Sequence, residues 1–389
     1  MDDIHRAPYS SCHARFRKPS QRFLRGLFSC PLFFMKPHRY PRGLILITSL
    51  LCCHWALSQT TLNPTTIPLQ RVMVGGSERL SIPVSIGNSG ITVNYLFDTG
   101  SSPFISAYTQ GAPWWGSQFT PSGQTRTLHY AVTGCEITPV QTQIIVGSGG
   151  HSMTSTPSFP VNQAVVRLLK KGGTWVQDPK WQESLKAAVN SGIPPEQGGH
   201  FYGTMGADLA NPEVGLARLV SDAAAGSGGR VLAGFSIQGV GGNPSLTLGL
   251  TPAIERRFTI RLPIDKVGGK LAQKVITADY SLEYRGRTFP LGRAGTILDT
   301  GSPRAGINTA AGFEVPPALR FGRLLRRGVA LHMQCGALSW TLVAGPGHRI
   351  GIGQSSGPQG GVNAGIHFFE SFDVMFDLHN GIIGFTPRR

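Results

Sequence analysis

Short apolar runs separated by turn residues are the dominant pattern of this 389-residue chain. β-Branched and aromatic residues fill the runs at 91–97 and 296–298, and each run predicts a buried strand that leads to an aspartate. The 51 glycines and 28 prolines interrupt the chain too often for long helices. With 40% hydrophobic residues, the chain can bury one large core or two medium ones. The pattern predicts an all-β protein with many short strands and a few short helices.

Both runs lead into the same four residues, Asp-Thr-Gly-Ser, at 98–101 and 299–302. One such match is weak evidence of function, whereas two copies behind similar strands are strong evidence. If the two turns face each other, the two like charges cannot both ionise easily, and such a pair, of which aspartic-protease dyads are the known example, shares a proton and titrates as a unit. One carboxyl can then take a proton from a water molecule while the other donates to the oxygen of the carbonyl that the water attacks. We predict Asp98 and Asp299 as this catalytic pair, acting without a metal or another cofactor.

The residues after each aspartate predict how the carboxyls are held. Glycine has no Cβ, so Gly100 and Gly301 let the chain reverse and approach a carboxylate closely. The hydroxyls of Ser101 and Ser302 are expected to donate hydrogen bonds to the outer carboxylate oxygens. The repeated motif thus predicts two similar turns, each with one oriented carboxyl.

These motifs resemble those of the two-lobed, pepsin-like aspartic proteases, and the resemblance covers nearly all of the chain after residue 66. It implies a bilobal fold with the active-site cleft between two related lobes, which we place at 66–251 and 252–389. It also implies an aspartic endopeptidase that binds an extended polypeptide by strand-like backbone pairing, as a monomer. The alternative is a non-catalytic pepsin-fold binding or inhibitor protein. Because both aspartates are present, that alternative requires a blocking insertion or a disabled flap.

The resemblance assigns roles to further residues of the two turns. In the family a segment ending in glycine backs each catalytic turn, and Gly206 and Gly365 are the matching glycines. Two residues before each glycine, Thr204 and Asn363 are polar, whereas the family has apolar residues there. The resemblance also implies that the hydroxyls of the motif threonines bond across the lobe interface; these are Thr99 and Thr300.

Two hairpins are also predicted with the help of the resemblance. The run at 235–249 resembles the hairpin that closes the first lobe. The run at 365–387 resembles the family's last helix, strand, turn and strand, and its Asn-Gly pair at 380–381 favours a tight turn on its own chemistry.

Two positions depart from the family in ways that bear on specificity. Tyr130 is the candidate for the flap, a tyrosine near the tip of a hairpin over the cleft, but the residues after it are atypical, and an ordinary edge hairpin is the alternative. Arg304 follows the second motif where small or apolar residues are usual. In the cleft it would favour an ionised carboxylate or pair with an acidic substrate side chain. The alternative is a side chain that extends into solvent.

An apparent insertion covers residues 164–200. Within it, residues 178–190 predict a helix, because Trp181, Leu185 and Val189 recur at nearly helical spacing. The insertion either shapes the cleft or forms a surface excursion, and we favour the surface.

The first 58 residues differ from the rest of the chain. Residues 43–53 form an apolar run that suits a signal peptide better than a membrane span. Met35 is a candidate start, since basic residues follow it and small residues at 56–58 offer a cleavage site. We expect an exported protein, secreted or periplasmic. The alternative is membrane anchoring by an uncleaved N-terminal segment.

Charge, cysteine and histidine content indicate less about function than the two motifs do. The first 58 residues carry nine Lys or Arg and two Asp or Glu, so their removal lowers the formal charge from +16 to +9. This basic balance suits an anionic surface partner, for which 256–257 and 320–327 are the candidate patches, but we find no nucleic-acid module. Cys135 and Cys335 remain after cleavage, and a bonded pair and two free thiols are both open. The histidines show no zinc-binding spacing, so no metal site is predicted.

Overall fold

The computed structural model describes residues 63–129, 133–355 and 360–388. The predicted targeting segment, 1–58, and the flap candidate Tyr130 lie outside these ranges. The described chain is mostly strand and forms two lobes, which confirms the predicted all-β, bilobal fold. Among the described residues, no helix has the length and apolar character needed to cross a membrane.

The described strands are β1 (Thr65–Pro68), β2 (Gln70–Val74), β3 (Ser77–Ile86), β4 (Val93–Asp98), β5 (Phe104–Ala107), β6 (Phe119–Pro121), β7 (Arg126–His129), β8 (Thr133–Thr142), β9 (Ile144–Ser148), β10 (His151–Thr154), β11 (Phe159–Lys171), β12 (Thr174–Gln177), β13 (Gly203–Gly206), β14 (Leu232–Gln238), β15 (Ser245–Leu250), β16 (Ile260–Pro263), β17 (Lys266–Val267), β18 (Lys270–Leu271), β19 (Ile276–Tyr284), β20 (Arg287–Ile297), β21 (Ala305–Thr309), β22 (Arg320–Phe321), β23 (Leu324–Leu325), β24 (Ala330–Cys335), β25 (Leu338–Val343), β26 (Ile350–Gln354), β27 (Gly361–Asn363), β28 (Phe372–Asp377) and β29 (Ile382–Pro387). The described α-helices are α1 (Trp181–Ser191), α2 (Gly215–Gly226), α3 (Pro252–Glu255) and α4 (Ile366–Ser371), and a 3-10 turn covers Pro317–Leu319.

Three large sheets organise these strands. A twelve-stranded sheet contains β2 to β13, and a nine-stranded sheet contains β19 to β27. A six-stranded sheet, in the order β1-β15-β14-β28-β29-β16, draws strands from both halves of the chain. The lobe boundary that we place near Pro252 falls between β15 and β16 of this shared sheet.

The same three-strand arrangement occurs in both large sheets. β13 pairs in parallel with β4 and antiparallel with β5. β27 likewise pairs in parallel with β20 and antiparallel with β21. In each case a late, short strand lies between the strand that leads to a motif aspartate and the strand that follows it. The repeated sequence motif therefore belongs to a repeated structural unit.

The predicted helix of the insertion exists but begins later than expected, at Trp181. Asp178 still belongs to the preceding hairpin, because its N–H donates to the carbonyl of Arg167 and its carboxylate accepts the N–H of Lys180. The buried face contains Trp181, Leu185 and Ala188, while Val189, the third residue of the apolar spacing, is 37% exposed.

Both predicted hairpins are confirmed. β14 and β15 pair antiparallel at 235–248, and β28 and β29 pair antiparallel after α4. The turn between β28 and β29 is stabilised by Asp377, whose two carboxylate oxygens accept hydrogen bonds from the backbone and side chain of Asn380. This turn chemistry follows from residues that lie next to each other in the sequence, which is why it is predictable.

Candidate active site

The two motif aspartates lie at the ends of buried strands in the repeated units. Asp98 is the last residue of β4, and Asp299 follows β20 by two residues. Phe97 and Leu298, the residues that precede them, are buried in the core. Each strand is thus anchored by apolar packing up to the residue that carries the carboxyl.

The two turns face each other closely. A Cβ added to Gly100 would collide with the carboxyl of Asp299, and one added to Gly301 would collide with the carboxyl of Asp98. The motif glycines therefore do more than reverse the chain: each leaves space for the carboxyl of the opposite turn. This arrangement brings the predicted pair together at one site.

Asp98 is held by its own turn. Its Oδ1 accepts the N–H of Gly100 at 2.8 Å, and its Oδ2 accepts the hydroxyl of Ser101 at 2.8 Å. The neighbouring Ser102 bonds elsewhere, to the buried carboxylate of Asp208 at 2.9 Å. Two donors fix the plane of the Asp98 carboxyl.

Asp299 is held differently, which corrects one prediction. The hydroxyl of Ser302 does not reach Asp299 but donates to the carbonyl of Arg304 at 2.8 Å, while its backbone N–H donates to Oδ1 of Asp299 at 2.9 Å. The second donor to Asp299 is Asn363, whose Nδ2 lies 2.6 Å from Oδ2. Because an amide from the backing segment occupies the outer oxygen, the serine hydroxyl bonds to its own turn instead.

These contacts explain why a polar residue, Asn363, occupies this position of the backing segment. Its Oδ1 accepts the N–H of Gly365 at 2.9 Å, so the side chain links the second catalytic turn to the segment behind it. Thr204 occupies the corresponding position in the first unit, but its side chain makes no hydrogen bond among the described residues. The two backing glycines pack closely, since a Cβ on Gly206 would meet the backbone at 101–103 and one on Gly365 would meet the carbonyl of Arg304.

The motif threonines link the two turns to each other. The hydroxyl of Thr99 donates to the carbonyl of Leu298 at 2.6 Å and accepts the N–H of Thr300 at 3.0 Å. In return, the hydroxyl of Thr300 donates to the carbonyl of Phe97 at 2.8 Å and accepts the N–H of Thr99 at 3.1 Å. Both threonines are buried. Four reciprocal hydrogen bonds thus set the relative position of the two carboxyls.

Electrostatic interactions favour the protonated form of Asp98. Burial, then the charge of Asp299, raises the pKa of Asp98 to about 7, and a hydrogen bond between the two carboxyls acts in the same direction. The donors Ser101 and Gly100 oppose this shift. A carboxyl with this pKa holds a proton at acidic pH, so the geometry favours a pair that shares one proton.

Arg79 on β3 is a further charged residue beside the pair, and the sequence analysis missed it. Burial lowers the pKa of its guanidinium, while the charges of Asp299 and Asp98 raise it and that of Arg304 lowers it. Its Nε is buried and has no hydrogen-bond partner among the described residues. No local pattern marks this residue, because only the fold brings β3 next to both motifs.

The remaining predicted positions lie around this centre. Arg304 is exposed and borders a cavity of about 220 Å³ beside the second catalytic turn. Tyr130 lies outside the described residues; of the described strands on either side of it, β7 pairs antiparallel with β8. The insertion contacts β7, because the ring of Trp175 on β12 stacks on that of His129 at 4.1 Å between centroids.

The described residues include two free thiols and one group able to hold a cation. Cys135 is buried and Cys335 half-buried, and neither forms a disulfide. His348, His367 and Glu370 each offer a ligand atom within 4.8 Å of the others. Sequence spacing could not indicate this group, since its members come from a loop and from α4.

Comparison with solved structures identifies the class of fold. An aspartic proteinase from Irpex lacteus is similar to this chain with a TM-score of 0.52 and 15% sequence identity, over 84% of this chain and 97% of that one. At this identity the similarity shows the fold alone. No family model and no curated protein matches the sequence. The chain has the pepsin-like aspartic proteinase fold, with two motif aspartates at the centre of its site.

Replacing Asn363 with leucine is expected to shift the pH dependence of any activity at this site. Loss of the amide donor removes a hydrogen bond that favours ionisation of the pair, so the acid limb of the kcat/KM profile moves up by about one pH unit or less. The matched control is Thr204→Leu, which makes the same kind of change in the other unit and should leave the profile in place. An unchanged profile for Asn363→Leu, with an unchanged Tm, would show that the amide does not act on the pair.

Proposed function

We propose that this chain is an aspartic endopeptidase that hydrolyses peptide bonds with a water molecule activated by Asp98 and Asp299. The observation that carries this proposal is the reciprocal packing of the two turns, in which each motif glycine leaves space for the opposite carboxyl. The fold similarity supports a protease at the level of class. An extended polypeptide is the proposed substrate, and no cofactor takes part in the proposed reaction.

The proposed reaction assigns different roles to the two carboxyls. Asp98, with its raised pKa, holds the shared proton, and Asp299 is the base. Asp299 takes a proton from water as the oxygen attacks the scissile carbonyl carbon, and Asp98 gives its proton to the carbonyl oxygen. The C–N bond then breaks as Asp299 returns its proton to the leaving nitrogen and Asp98 recovers a proton from the diol. Water is consumed, and both carboxyls end as they began.

The pH dependence of cleavage tests this proposal. Asp98 must be protonated to act as the acid, so activity should fall as pH rises through about 7, the raised pKa of that group. The measurement is cleavage of an unfolded protein substrate by the chain between about pH 3 and 8, with and without a statine-type transition-state analogue. Activity confined to acidic pH and blocked by the analogue is the expected result.

The contrary result is also informative. A correctly folded chain that cleaves nothing at any pH would contradict the proposal and favour a binding protein on the same fold. Cleavage that persists undiminished above pH 7 and resists the analogue would indicate a different catalytic group.

A further inference from the structure

A small cavity lies directly beside the second catalytic turn. Its volume is about 220 Å³, and Pro303 and Arg304 form one wall. A second wall is the β2–β3 turn, residues Gly75–Ser77, and a third is the loop that includes Gly347 and Arg349. The cavity is thus bordered by the turn after Asp299 and by the strand that leads to Arg79.

The lining of this cavity is cationic and unpaired. Arg304 and Arg349 are both exposed, and neither forms an ion pair within the described ranges. No aspartate or glutamate borders the cavity. Two guanidinium groups around one space repel each other unless an anion lies between them, and their planar forks match a carboxylate well.

The cavity is coupled to the catalytic pair by short paths. Ser302 donates from its N–H to Asp299 and from its hydroxyl to the carbonyl of Arg304. Arg79 lies two residues beyond Ser77, and its charge interacts with both catalytic carboxyls and with Arg304. A group bound in the cavity would therefore lie within electrostatic range of the pair and next to the second catalytic turn.

We propose that this cavity, the arginine subsite formed by Gly75–Ser77, Arg304 and Arg349, binds the carboxylate of an aspartate or glutamate side chain of the substrate. This inference rests on the proposed function and adds a substrate class to it. The substrate is favoured over a free anion as the source of the carboxylate because the subsite adjoins the catalytic turn.

The test uses pairs of peptides that differ only in Glu or Gln at one position within about four residues of the cut. At about pH 5.5 the glutamate is ionised. At one position the wild-type chain should favour Glu over Gln by about 10- to 100-fold in kcat/KM, as expected for a hydrogen bond between charged groups. Arg304→Gln and Arg349→Gln should each lower this Glu/Gln ratio about 10-fold.

The control is Arg323→Gln. It removes the same charge from an exposed position between β22 and β23, away from the cavity, and should leave the Glu/Gln ratio unchanged. Arg304→Glu should reverse the preference toward a lysine peptide. Inorganic phosphate, at matched ionic strength, should compete with the Glu peptide and not with the Gln peptide. Equal inhibition of both peptides with a ratio near one would identify a free-anion site and overturn the proposal.

The design separates failure of the subsite from failure of the enzyme. If the chain cleaves the Gln peptide and the Glu/Gln ratio is near one at every position, the arginine subsite is refuted and the proposed function stands. If neither peptide is cleaved, fluorescence anisotropy of the labelled peptides decides the inference alone. Tighter binding of the Glu peptide that is lost in Arg304→Gln supports the subsite, and equal binding of both peptides refutes it.

Discussion

Replacing either Asp98 or Asp299 with asparagine is expected to lower kcat by at least about 10³-fold, because proton transfer by positioned groups supplies about 10²- to 10⁴-fold and each variant removes one partner of the pair. Asn at 98 cannot give a proton to the carbonyl oxygen, and Asn at 299 cannot take one from water. Both carboxyls act in one step. The kcat of the double variant should therefore be lower than that of the poorer single variant by only a small factor.

The measurement for these variants is single-substrate kinetics at the acidic pH where the wild-type chain is most active. Asparagine is nearly isosteric with aspartate, so circular dichroism and Tm should show a folded protein in each case. Asp208→Asn is the matched control: this buried carboxylate accepts the hydroxyl of Ser102 near the first turn and, among the described residues, makes no hydrogen bond to Asp98 or Asp299. A folded Asp98→Asn variant with nearly full activity would rule out the proposed roles.

Replacing both motif threonines with valine is expected to give the largest loss of stability. Thr99→Val combined with Thr300→Val keeps the side-chain shape but leaves two N–H groups and the carbonyls of Phe97 and Leu298 without partners. Each buried polar group left unpaired costs about 1–3 kcal/mol, so the free energy of unfolding should fall by roughly 3–6 kcal/mol after partial relaxation. Urea unfolding midpoints measure this change.

Two controls make the threonine prediction specific. The serine pair, Thr99→Ser with Thr300→Ser, keeps the hydroxyls and should retain most of the stability. Thr309→Val removes a single exposed hydroxyl that donates to the carbonyl of Gly353, and should change the free energy of unfolding by about 0.5 kcal/mol or less. A valine pair as stable as the serine pair would show that the cross-turn hydrogen bonds contribute little.

Sequence reasoning predicted the parts of this protein that depend on neighbouring residues. The apolar runs before Asp98 and Asp299 became β4 and the end of β20, and the Asn-Gly pair at 380–381 became a hairpin turn. The two donors that orient the Asp98 carboxyl, Gly100 and Ser101, also lie within three residues of it. Such features follow from local turn chemistry and alternation of apolar residues.

The missed features depend on segments that only the fold brings together. Asn363 is 64 residues from Asp299, and its amide donates the hydrogen bond to Asp299 that was expected from the hydroxyl of Ser302. Arg79 and Arg349 come from opposite ends of the described chain, yet both lie near the second catalytic turn. Long-range register, which no short window of sequence contains, decides each of these positions.

The insertion illustrates the same limit. Its helix was predictable from the spacing of apolar residues, but its contact with β7 was not. Trp175 stacks on His129, the last residue of β7. The contact places β12 of the insertion against the end of β7, and the surface location of the insertion stays a prediction.

Titration of the chain with a statine-type analogue tests the central claim most directly, because the analogue's hydroxyl takes the place of the attacking water between the two carboxyls. The account predicts one molecule bound per chain, with an affinity at least about 100-fold weaker in both Asp98→Asn and Asp299→Asn. Equal affinity for wild type and both folded variants would contradict a catalytic site shared by these two residues.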